Sequence, residues 1–220
     1  MHGKVINRVD VSYLNPILLD DEGLIKPVSA TTLQGIEEDH LKLWCVLNAI
    51  YQIPTLELIE FLKKYIEGKK AIEICSGKSG IGRALGIPAT DSWMQTLPEI
   101  IVYYKSLGQE PITPPDYVEK IEANEAVKKY DPDIVLGSFI TQRWLNEQDI
   151  DGNMYGPVEE EWVDAGKTYV HIGNEQTHGK KRILSRQHKV FKSGCLRSRA
   201  VDESKNVIWI WNDWREDESH

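Results

Sequence analysis

Cysteine is scarce in this chain of 220 residues, and the three present, Cys45, Cys75 and Cys195, stand far apart. An odd, scattered set supplies neither a disulfide framework nor a zinc cluster. Long apolar runs are missing as well. The longest stretch without charge, Leu43–Leu56, contains Asn48, Gln52 and Pro54 and is too short to cross a bilayer. The opening MHGKVINRVD has no apolar signal core, so a cytoplasmic location is the expectation. Excess positive charge is absent too: 26 Lys and Arg face 34 Asp and Glu, and a net charge of −8 argues against broad binding to nucleic acid. What remains is a composition that suits one domain with a full core.

Charge is unevenly placed. From Glu147 to Asp164 there are seven acids and no Lys or Arg, whereas Thr177–Val201 holds eight Lys or Arg and no acid. Such runs are usually solvated faces or partners of each other across the fold. The alternative is a basic surface at Lys180–Arg199 that meets RNA or DNA phosphate.

Along the chain, residues 1–34 read as an irregular arm, broken by Pro16, Pro27 and the turn Asp20–Gly23, that packs on the domain or covers its site. A helix is expected from about Leu33 to Tyr51, ended by Pro54. Thr55 can cap the next helix, Leu56–Ile66, with a stripe of Leu58, Ile59, Leu62 and Ile66 and with Gly68 closing it. Ala71–Ile74 then reads as a buried strand that breaks into Cys75-Ser76-Gly77-Lys78-Ser79-Gly80 and reopens as helix. That geometry aims backbone N–H groups at a ligand.

Two phosphate-binding patterns fail at this turn. A P-loop would need a glycine where Ile72 stands, and a dinucleotide fingerprint would need one where Cys75 stands. Beyond it, Ala89–Thr90 makes a brief strand ending at Asp91, 18 residues past Glu73. That is about where a nucleotide-binding unit places the acid that accepts ribose hydroxyls, although Asp91 could equally cap a helix. Further strands are expected at Tyr117–Ile121, Asp133–Phe139, Lys167–Ile172, His188–Phe191 and Val207–Trp211, with a helix at Leu97–Leu107. His171, Asn174, Glu175 and His178 cluster, but two His seven apart with one Glu recur by chance, and no metal is expected.

The run Glu73–Gly80 resembles motif I of class I S-adenosylmethionine-dependent methyltransferases, an acid followed by alternating glycines. Cys75 and Ser79 stand where the family usually has glycine, and Gly77 and Gly80 are present. The resemblance covers roughly residues 35–212 and implies a three-layer Rossmann-like α/β sandwich, a mostly parallel sheet closed by an antiparallel C-terminal strand pair. Residues 213–220 would be a polar tail. It further implies that Glu73, Cys75, Gly77, Gly80 and Asp91 hold the cofactor, S-adenosylmethionine, that Trp93 or Met94 flanks its adenine and Asn124 contacts the adenine amino group. Ser138, at the end of a strand resembling motif IV, lies along the cofactor. The Pro-Pro-Tyr/Phe signature of amino-group methyltransferases is absent. A methyltransferase of unidentified acceptor is thus the leading expectation, with His171 or His178 as the base if one is used. The alternatives are an inactive methyltransferase-like binding module, and an enzyme that modifies RNA or DNA through Lys180–Arg199.

Overall fold

A computed structural model describes residues 9–147, 149 and 152–213. Its centre is a sheet of five strands: β1 (Ala71–Ile74), β2 (Ile134–Ser138), β3 (Thr168–Asn174), β4 (His188–Phe191) and β5 (Asn206–Trp211), in the order β1-β2-β3-β5-β4. Strands β1, β2, β3 and β5 are nearly continuous apolar runs, as buried strands covered on both faces must be. Alternate residues point to opposite sides. Ala71, Ile134, Leu136, Val170 and Ile210 pack on the helix Leu56–Ile66, while Ile72, Val135, Tyr169, Trp209 and Trp211 pack on the helix Ala123–Tyr130 and on Trp162 and Val163.

The sheet is evenly mixed, which corrects the expectation of a mostly parallel one. β1–β2 and β2–β3 pair in parallel, but β5 inserts between β3 and β4 and runs antiparallel to both. Beyond the free side of β1 lies a short parallel ladder of Thr90–Asp91 with Glu119–Lys120. A parallel bridge from Glu73 to Ala89 and the bond from Ser76 N to Thr90 O tie that ladder to β1.

The N-terminal segment is more ordered than its sequence suggests. The single helix expected from Leu33 is two, Ala30–Gln34 and Glu38–Leu47, divided at Gly35. Ser29 starts the first by accepting from Thr32 N. Val11, Leu14, Leu18 and Leu33 join Leu41, Trp44 and Ile53 in a third apolar cluster, where Trp44 Nε1 donates to Asn15 Oδ1 at 2.8 Å. Thr55 caps Leu56–Ile66 as expected, accepting from Leu58 N. Among the described residues no helix is long and apolar enough to cross a membrane. Of the polar tail, only Asp213 is among the described residues.

Candidate functional site

The chain leaves β1 through a turn whose backbone alternates in hand. Cys75, Gly77 and Ser79 have φ of 48°, 54° and 50°, while the helix Gly80–Leu85 follows directly. Left-handed backbone is comfortable for glycine and strained by roughly 1–2 kcal/mol for other L residues. Two carboxylates brace this shape. Glu73, only 3% exposed, accepts from Ser79 Oγ at 3.0 Å and Gly82 N at 2.9 Å through Oε2. A Cβ on Gly82 would lie 2.5 Å from that oxygen, so only glycine fits. Asp91 Oδ2 accepts from Gly77 N at 2.9 Å, and Oδ1 from Trp93 N at 2.7 Å.

Burial pushes the Glu73 carboxyl up to about 7 against the lowering pull of Gly82 and Ser79, and the neighbouring Asp91 charge adds to the rise. Burial also raises Asp91, against its two backbone hydrogen bonds.

Both acids border one cleft of about 170 Å³. One wall is the turn with Asp91, Ser92, Met94 and Gln95. The opposite wall comes from the loop after Glu38–Leu47, from Tyr104, from Ser138–Thr141 beyond β2, and from Asn153–Pro157. Arg143 fastens the last two together: its N donates to Pro157 O and its Nε to Gly156 O at 2.7 Å. Three buried polar atoms of these walls have no hydrogen-bond partner: Gln52 Oε1, Ser76 Oγ and Ser138 Oγ. Such atoms are uncommon in folded proteins and call for a partner, whether water or ligand.

Of the residues singled out in the sequence, Glu73, Cys75, Gly77, Gly80, Asp91 and Ser138 line the cleft. Trp93 and Asn124 do not. Trp93 turns toward Lys120, whose Nζ is 5.9 Å from the ring centroid, whereas Met94, the other residue expected beside the adenine, lines the wall with Ser92. Asn124 is committed to the later loop: its amide donates to Val158 O and to Glu161 Oε2 at 2.9 Å and accepts from Val158 N. His171 and His178 also lie outside. His171 is fully buried, stacked between Tyr169 and Trp209. Burial holds His171 well below its ordinary value and pushes His178 down to about 3. Among the described residues no group of three or more His, Cys, Asp or Glu is placed to hold a metal ion.

Three of the eight cations of the basic stretch pair with the acidic one. Lys181 pairs with Glu159 at 2.6 Å in the interior, Arg182 with Asp149 and Glu160, and Arg186 with Asp164. Lys192 and Arg197 find Glu175 and Glu203. These pairs offset part of the positive charge of Lys180–Arg199.

The opposite wall escaped the sequence reading. Tyr51, Gln52, Tyr104, Phe139 and Tyr155 come from separate segments and share no local pattern.

No family model matches this chain, and no curated protein matches it. Among solved structures it is similar to a candidate methyltransferase complexed with SAH, at 9% identity and a TM-score of 0.34, over 70% of this chain and 48% of that one. A candidate SAM-dependent methyltransferase from Streptococcus mutans gives 10% and 0.32, over 70% and 47%. A Thermoplasma acidophilum protein gives 14% and 0.31, over 85% and 96%. The chain spans about half the length of the first two. Likenesses this loose leave the chemistry to be argued from the cleft itself.

Proposed function

We propose that the chain binds S-adenosylmethionine against the turn after β1 and transfers its methyl group to an acceptor held by the opposite wall. The observation that carries this reading is the alternation of left-handed residues at 75, 77 and 79 between two carboxylates that border one cleft. An acid followed by alternating glycines would adopt this backbone readily. Here the shape persists although two of the three positions carry side chains.

The strand order supports the reading. Counted from the outer ladder, Glu119–Lys120, Thr90–Asp91, β1, β2 and β3 follow the doubly wound order, which reverses between β1 and β2. Ligands in such sheets sit at strand C-termini at that reversal, where Cys75 and Ser138 stand. A Rossmann-like three-layer sandwich, closed by the antiparallel β4 and β5, is therefore the architecture we favour.

The residues fit the cofactor. A carboxylate can accept about four hydrogen bonds; Asp91 uses one on each oxygen, leaving acceptor capacity for a ribose diol. Glu73 acts on the turn rather than on a ligand, because its Oε2 holds Ser79 and Gly82 in place. Ser76 and Ser138 offer unpartnered hydroxyls. When bound, S-adenosylmethionine supplies an electrophilic methyl group on a sulfonium. The chain orients the two reactants and keeps water out, from which much of such an acceleration can come. No His, Asp or Glu among the described residues lines the opposite wall, so transfer there rests on positioning.

Isothermal titration with S-adenosylhomocysteine tests the assignment. Binding is expected, weakened roughly tenfold or more in Asp91→Ala. Silence at millimolar ligand, or an unchanged affinity in Asp91→Ala, overturns it. One feature favours a binding module without turnover: the Cys75 side chain stands in the cleft wall where glycine would leave room. Cofactor binding that appears only in the Cys75→Gly, Ser79→Gly double variant would decide for that reading.

A further inference from the structure

Resting on the reading just given, the wall opposite the turn describes its own occupant. It presents four aromatic side chains, Tyr51, Tyr104, Phe139 and Tyr155, and no ionised one; the charged residues lining the cleft, Glu73, Lys78 and Asp91, all belong to the turn side. Aromatic rings stack well on other planar rings and exclude water from them. Tyr51 and Phe139 are already in tilted contact, with centroids 6.5 Å apart, and Tyr51 Oη reaches Tyr104 Oη at 3.5 Å.

Two observations narrow the ligand further. Arg199 stacks on Tyr51 with its guanidinium carbon 3.4 Å from the ring centroid, and Arg199 is not itself part of the wall. One face of the ring is thus taken by a cation, whose charge disfavours a second cation close by. Gln52 is only 8% exposed, and its amide nitrogen is spent on Ile53 O. Its Oε1 remains buried without a donor, in the same wall as the unpartnered Ser138 hydroxyl. A buried acceptor of this kind asks for an O–H or N–H from whatever fills the space.

We infer that the opposite wall is the subsite of an uncharged, planar aromatic acceptor that carries a hydroxyl or N–H group donated to Gln52 Oε1. Transfer to such a group forms a bond from its oxygen or nitrogen to the methyl carbon. The electron pair of the broken carbon–sulfur bond stays on sulfur, and the acceptor's proton leaves to solvent.

Four probes separate the possibilities, each titrated into the full chain by ligand-observed NMR with and without S-adenosylhomocysteine: phenol, toluene, benzoate and benzyltrimethylammonium. Phenol is expected to bind tightest, roughly fivefold over toluene, the worth of one hydrogen bond. Gln52→Leu should bring the two to near equality. Should Gln52→Leu fail to fold, the unbranched Gln52→Met removes the same acceptor and is expected to weaken phenol more than toluene. Tightest binding by benzoate or by the ammonium probe overturns the inference, as does a phenol-to-toluene ratio unchanged in both variants, or binding by none of the four. Phenol binding without S-adenosylhomocysteine binding would remove the cofactor and keep this subsite; the reverse would keep the cofactor and remove the subsite.

Discussion

The two walls of the cleft are made in opposite ways. The turn wall is local: one strand, one bend and one acid 18 residues on, held by four hydrogen bonds from Ser79, Gly82, Gly77 and Trp93 to two carboxylates. The other wall is assembled from segments that are distant in sequence and meet only in the finished fold. A local wall can be altered residue by residue with bounded effect. An assembled wall depends on the contacts that bring its pieces together, so its weak points lie behind it.

The largest effect is therefore expected behind the assembled wall. Lys181 Nζ donates to Ile140 O at 2.8 Å and to Glu159 Oε1 at 2.6 Å, with both side chains in the interior. Glu159→Ala strands that cation and should lower unfolding free energy in urea by roughly 3–5 kcal/mol. Pairing it with Lys181→Met should recover much of the loss, and a double variant no better than the single would show that burial of charge is not the cause.

Next comes the turn wall's own acid. The Glu73 carboxyl stands at about 7 against an ordinary 4.5, so the folded chain holds this proton more tightly than the unfolded one. Its contribution is intact below about pH 4.5 and fades as pH rises through 7, to about 3 kcal/mol. Glu73→Gln should remove that decline. The advantage of the variant over wild type in thermal melts should grow from pH 4.5 to 7 and then level off. His178, held down at about 3, acts in the opposite sense, losing stability as pH falls from 6.5. It is common to both proteins and cancels in the difference.

Smaller again is the strain at Cys75, where φ is 48°. Cys75→Gly should move stability by less than about 1 kcal/mol, relief of the left-handed backbone being offset by unfolded-chain entropy. Cys75→Val, branched at Cβ, should lose roughly 1–3 kcal/mol in the same urea titration. Smallest of all is Arg186→Ala, which breaks an exposed pair with Asp164 and should leave the melting temperature within error.

The same contrast explains what could be read from the sequence. Strands β1, β2, β3 and β5 were visible because burial on both faces demands unbroken apolar runs, and Thr55 starts its helix by known local chemistry; the helix before it ends at Leu47, where Ala49 turns left-handed, and not at Pro54. Glu73, Gly77 and Asp91 could be found because their spacing is fixed by one strand–turn–strand unit. Asn124 lies off the cleft: its hydrogen bonds depend on where Val158–Glu161 crosses, which no nearby residue announces. The antiparallel C-terminal pair was legible, but not that β5 inserts between β3 and β4 and leaves the sheet mixed, since apolar runs say nothing of where a strand inserts. The opposed acidic and basic runs were legible as charges, but their pairing required the fold.

Gly156 is pressed against the carbonyls of Thr141 and Gln142, where a Cβ would collide with both. The spacing of these two segments, both of which contribute to the cleft lining, is consequently set by main chain meeting main chain, a dimension that rotamers cannot adjust. Core variants elsewhere should make the protein sturdier or frailer without changing the size of guest it admits, whereas a single methyl at 156 would recalibrate it.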